Sequence, residues 1–167
     1  RRRLFEYPKI EYTKRSLNSL IRSINFLKNK YPTTNVKTII VDDNSSTENL
    51  NVIKKVIDGN NIEILNLDYS KYKEKILEQK NNETFANLAS LLQSFEVGKD
   101  AGEDLIYFIE DDYLHFEPML EEMVASFERI ASQLNKDIFM CPSDYPYLYM
   151  NNACLLYTSP SPRDRIR

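Results

Sequence analysis

Between Tyr12 and Lys30 the apolar residues Leu17, Leu20, Ile21, Ile24 and Leu27 recur every three or four positions with polar and basic residues between them, which predicts an amphipathic helix. Tyr31-Pro32 stops that pattern. The next apolar run, VKTIIV from Val36 to Val41, is β-branched and too short for a helix, so it reads as a buried strand ending at Asp42. DDNSSTENL then reads as a loop entering a helix, with Ser45 and Glu48 at capping-box spacing and Leu50, Ile53 and Ile57 on one face. Asp58-Gly59 closes that helix, and Ile62 to Leu67 predicts a second strand.

The lysine-rich stretch from Asp68 to Asn82 predicts no regular element. Phe85, Leu88, Leu91, Leu92 and Phe95 mark a third helix closing near Gly98, and LIYFI, Leu105 to Ile109, is the most apolar strand candidate. Pro118 suits the first turn of a fourth helix whose inward face is Leu120, Met123, Val124, Phe127, Ile130 and Leu134. Asp137 to Cys141 predicts a further strand, and PSDYPYLYMNN a loop; near the start, LFEY is the candidate remnant of a first strand. Alternating strands and helices argue for an α/β layer with a mainly parallel sheet, in which ligands gather beyond the carboxyl ends of the strands.

Composition narrows the class. The 167 residues, 42% hydrophobic and 28% charged, suit one globular domain, and a net charge of -3 gives no general attraction to nucleic acid or anionic lipid. No apolar stretch has transmembrane length and RRRLFEYPKIEY lacks a signal-peptide core, so no membrane segment and a cytoplasmic location are expected. Cys141 and Cys154 make neither a disulfide scaffold nor a zinc spacing. The end, CLLYTSPSPRD, resembles a translated sequencing adaptor. Residues 154–167 are therefore expected to be a non-native tail, and residues 1–153 a fragment that has lost its natural end.

Both candidate sites for chemistry are acidic strand ends. YFIEDDYLHFEPML drives an apolar run into Glu110, Asp111 and Asp112, an arrangement that needs solvent, a cation or hydrogen bonds to offset repulsion. In an extended chain Glu110 and Asp112 share one face and Asp111 takes the other. Mg²⁺ or Mn²⁺ is commonly held by one or two such carboxylates, with water and substrate phosphates completing the shell. The second cluster, Asp42, Asp43, Asn44 and Ser45, offers acceptors and small donors that suit a nucleobase N–H or ribose hydroxyls. Neither GxGxxG nor a P-loop accompanies it. Either cluster alone also reads as loop solvation and helix capping; two acidic strand ends in one sheet point to a shared crevice.

IIVDDNSST, Ile39 to Thr47, followed by YFIEDDYLHFEP, Tyr107 to Pro118, resembles the nucleotide-sugar-binding core of family 2 glycosyltransferases with the GT-A fold, over roughly residues 12 to 150. The resemblance implies an incomplete three-layer Rossmann-like fold and a metal-dependent transferase. Its ligand would be a nucleoside diphosphate sugar, and its acceptor a glycan or other hydroxyl. Asp42 and Asp43 then look like the acids that contact the nucleoside. Glu110-Asp111-Asp112 looks like the DXD-type motif, with Asp112 the foremost metal ligand and Glu110 standing where that motif often has Asp. Asn82 and Asn87 fall in the region that approaches the sugar-nucleotide in the family.

No catalytic base is assigned. Asp144 is the main downstream acid and lies close in sequence to the metal motif, so the base is expected in the missing end, leaving the fragment able to bind yet poor in turnover. His115 reads either as a metal or phosphate partner or, with more weight, as an ordinary solvated or capping residue; Tyr145, Tyr147 and Tyr149 either stack on an acceptor sugar or pack beneath a further segment. Two other classes stay open. A receiver-like Mg²⁺-binding signalling module needs a Lys at a late strand end, which DIFMCPSDY does not supply, and a non-catalytic binding domain could be built on a transferase core.

Overall fold

A computed structural model describes residues 7–76 and 82–140. The chain divides into two units, Arg1–Glu122 and Met123–Arg167. The described elements are mixed α/β: four helices and a two-stranded parallel sheet.

Helix α1, Lys9–Lys30, starts behind Pro8 and buries Leu17, Leu20, Ile24 and Leu27, the stripe expected from the spacing. Strands β1, Thr38–Asp42, and β2, Ile62–Asn66, pair in parallel with Ile40 opposite Ile64 and Asp42 opposite Asn66. Helix α2, Thr47–Ile57, connects them, and Gly59 at φ 74° makes the left-handed turn that returns the chain to β2. The two faces of the strand pair carry different packing, as their alternation requires. Ile40, Ile62 and Ile64 meet Leu17 of α1 and Ile53 and Ile57 of α2. Val41 meets the other cluster, Leu67, Tyr72, Ile76 and Ala89, the last from helix α3, Asn82–Ala101.

The segment after β2 acquires structure that its polarity hid. Asp68 accepts the amide of Ser70 at 3.0 Å and opens a 3-10 turn, Tyr69–Tyr72. Tyr72 is fully buried, and its hydroxyl donates to Glu96 of α3 at 2.9 Å. Lys71 and Lys75 each reach Glu96 at 2.6 Å. These bonds hold the Glu96 carboxyl down to about 2, the two lysines contributing most and Tyr72 next.

Two strand expectations are corrected. LIYFI forms no ladder among the described residues. Instead it leans on the end of α3: Phe108 meets Phe95 edge-on at 4.7 Å, and a Cβ on Gly98 would stand 2.9 Å from the Phe108 ring. Side-chain packing against a glycine-bearing helix end has replaced strand pairing for this run. Residues 137–140 are likewise irregular, with Phe139 exposed, and Cys141 lies outside the described residues.

Helix α4, Met119–Leu134, begins just after Pro118, whose carbonyl accepts the amide of Glu122 at 3.0 Å. Leu120 is buried, whereas Leu134, expected on the inward face, is exposed at the last turn. Asn135 follows in the left-handed region at φ 49°, a common way for a helix to end.

Candidate functional site

The first acidic cluster is built by the turn between β1 and α2. Asp42 is only 6% exposed, and its Oδ2 accepts the amide of Ser45 at 3.1 Å, which folds the chain back on itself. Asn44 takes φ 52°, a conformation that Asn tolerates better than most residues. The predicted cap shifts by one position as a result. Ser45 has its amide committed to Asp42, so Ser46 caps α2, its Oγ accepting from the Asn49 amide at 3.3 Å. Asp43 and Asn44 are exposed.

Asp43 has a partner that sequence reading missed. The hydroxyl of Tyr69 donates to its Oδ1, and this bond, followed by partial burial, raises the Tyr69 phenol above its ordinary value. Tyr69 in turn stacks on Phe85 of α3, with ring centroids 5.8 Å apart and 23° between planes. A carboxylate and an aromatic face therefore stand side by side at the carboxyl end of β1.

The second cluster sits on α1. Asp111 accepts from the Thr13 hydroxyl at 3.2 Å and pairs with Lys9 at 3.0 Å. Beyond it the chain follows a seam of buried hydroxyls: Ser16 Oγ donates to the Tyr113 carbonyl at 2.6 Å, and Ser19 Oγ accepts the His115 amide at 3.0 Å. Ser23 Oγ accepts the Leu120 amide at 3.0 Å, capping α4 from another helix. Ser16, Ser19 and Ser23 are 3%, 2% and 0% exposed. Their spacing of three and four beside the leucine stripe is helical, and that periodicity was the available signal. Glu110 and Asp112 are exposed, and their carboxylates make no hydrogen bond or ion pair with the described residues, while the Glu110 carbonyl accepts the Tyr113 amide at 3.5 Å.

His115 is not the solvated residue expected at a helix start. It is 6% exposed, with Nε2 3.2 Å from the Tyr107 hydroxyl and Nδ1 buried without a hydrogen-bond partner. Burial pushes its imidazole below the ordinary value, and the nearby Tyr113 carbonyl offsets only part of that.

The first cluster follows β1, and the second is fastened to the first turns of α1. A shallow recess brings Ile24, Asn25 and Lys28 of α1 beside Thr38 and Ile62, at the starts of the strands. Ile10 and Leu17 share a cluster with Ile40, Ile62 and Ile64, so α1 packs on the same face of the strand pair as α2. The residues between the clusters make no direct bond among those described.

Among the described residues no three His, Cys, Asp or Glu side chains form a metal-ligating group. Glu110 and Asp112 are the exposed carboxylates of this turn, and Mg²⁺ is commonly held by one or two carboxylates completed by water and phosphate. Asn87 is exposed on α3; the side chain of Asn82, and Asp144, Tyr145, Tyr147, Tyr149 and Cys154, lie outside the described residues. No helix among the described residues is long and apolar enough to cross a membrane. No protein-family model, curated protein or solved structure matches the chain.

Proposed function

We propose that the chain carries the donor-binding part of a metal-dependent glycosyltransferase of family 2 type, with a GT-A-like three-layer fold, taking a nucleoside diphosphate sugar and an acceptor hydroxyl. The observation that supports this reading is the attachment of Asp111 to the first turns of α1, which commits that acid to the helix and leaves its neighbours Glu110 and Asp112 exposed. Two acidic turns, one offering nucleoside acceptors and the other open carboxylates, suit a ligand that is a hydrogen-bond donor at one end and a diphosphate at the other.

Each residue then has a distinct task. Asp42 holds the turn through Ser45, while the exposed Asp43 and Asn44 meet the nucleoside. Tyr69 fixes the Asp43 carboxylate and offers, with Phe85, an aromatic face for a base. Lys9 and Thr13 turn Asp111 toward α1, which leaves Glu110 and Asp112 for a divalent cation. Bound there, such a cation would neutralise charge developing on a departing diphosphate. The general base that takes the acceptor proton is not among the residues assigned.

Calorimetry with a panel of nucleoside diphosphates, with and without Mn²⁺, tests the reading. Metal-dependent binding of UDP or GDP is the expected result. Phosphorylation by acetyl phosphate with no nucleotide binding would instead favour a receiver-like module, and neither response a non-catalytic binding domain.

A further inference from the structure

We propose that Ser16, Ser19 and the buried imidazole of His115 form a latch that holds the Glu110–Asp112 turn on α1, and that protonation of His115 opens it. As regulation of a ligand site this rests on the transferase reading; the latch itself stands on the geometry alone. The turn is fastened to α1 by Thr13 and Lys9 at Asp111 on one side and by Ser16 at the Tyr113 carbonyl and Ser19 at the His115 amide on the other. In the second pair the Ser19 bond is buried and the Ser16 bond partly so; the first pair is exposed. Release of the second pair therefore frees the acids from their firmest anchorage.

His115 is the group able to trigger that release. In either neutral tautomer one ring nitrogen meets Tyr107, and Nδ1 stays buried without a hydrogen-bond partner among the described residues. A proton added to the ring would leave a charge in that dry position, where the Tyr113 carbonyl, already accepting from Ser16, offsets only part of the cost, a state that undocking into water relieves. Among the described residues the ring faces the Tyr107 hydroxyl and the Tyr113 carbonyl, and no carboxylate or cation contributes to its shift. Docking binds the neutral ring. It is accordingly complete above the free-imidazole value of 6.5 and weakens as pH falls from there through the depressed docked value.

His115 is the one histidine in the sequence, so its titration by NMR in the full chain is unambiguous. The ring should titrate below 6.5, and hydrogen exchange at the amides of 113–116, corrected for intrinsic rate, should lose protection between pH 7.5 and pH 5. The loss should be about tenfold for each unit of depression, while amides of α2 stay protected. In His115→Gln the exchange should not depend on pH. A wild-type ring titrating at 6.5 or above, or protection unchanged at pH 5, overturns the latch; so does pH-dependent release that survives in a folded His115→Gln. Should that variant not fold, the wild-type titration and exchange decide alone. No ligand is present in these measurements, so failure of the latch and failure of the transferase reading are separate results.

Discussion

Asp111 and Thr13, 98 residues apart in the chain, meet at 3.2 Å. With the Lys9 pair beside it, this contact ties an acidic turn that has no strand to hold it onto the opening turns of a helix. It also divides the labour among three adjacent acids, since Asp111 is committed to α1 while Glu110 and Asp112 remain open to solvent.

Asp112→Asn should therefore leave the melting temperature unchanged and weaken Mn²⁺-dependent nucleotide binding by tenfold or more, about 1.4 kcal/mol at least. Asp111→Asn should behave differently, with exchange at 110–113 rising because the tie to Lys9 and Thr13 is cut. Calorimetry and hydrogen exchange on the two variants check this split.

On the nucleoside side, Asp42 and Asp43 should separate in the same manner. Asp42→Ala removes the acceptor of the buried turn and should cost about 1–3 kcal/mol in urea unfolding. Asp43→Asn and Tyr69→Phe should leave stability nearly untouched, because the pair is exposed, and lower nucleotide affinity without altering its dependence on metal.

The α1 seam predicts stability losses of its own. Ser23→Ala strips the Leu120 amide of its acceptor at a fully buried position and should cost about 0.5–2 kcal/mol, the usual effect of losing a helix cap. Ser23→Thr keeps the hydroxyl and adds a methyl at a fully buried position, so it should recover only part of that loss.

Glu96 sets an acid limit. Its carboxyl is held at about 2 against an ordinary 4.5, so the stability it contributes is complete above 4.5 and is lost as pH falls through that range toward 2. In Glu96→Gln the melting temperature should be lower at pH 7 and flatter between pH 5 and pH 2.5. Tyr72→Phe, which keeps both lysine bonds, should cost only about 1–2 kcal/mol.

What the chain revealed before its structure was the part written in periodicity. The α1 stripe, the β1 and β2 runs and α2 all carry a clean repeat, and each forms within a few residues of the expected bounds. LIYFI shows the limit of that reasoning. An apolar run says that burial is favourable and not which surface supplies it; here Phe108 leans on Phe95 and Gly98 in place of a neighbouring strand, and Leu105, Ile106 and Phe108 stay exposed. The site was legible in its acids and not in their partners. Tyr69 lay within a stretch whose lysines masked it, and the hydroxyls of Ser16, Ser19 and Ser23 read as the polar margin of an amphipathic helix until the segment they bind came into view.

The claim on which the rest depends is that a single ligand bridges the turn at Asp43 and the turn at Asp112. Paramagnetic broadening by Mn²⁺ added with UDP or GDP tests it most directly, because the effect reports closeness to the bound ion residue by residue. The account predicts that amide signals of 110–112 and of Asp43, Asn44 and Tyr69 broaden together, and that Asp112→Asn abolishes both effects. Broadening confined to residues 110–112, with Asp43 and Tyr69 left sharp at saturating nucleotide, would contradict it.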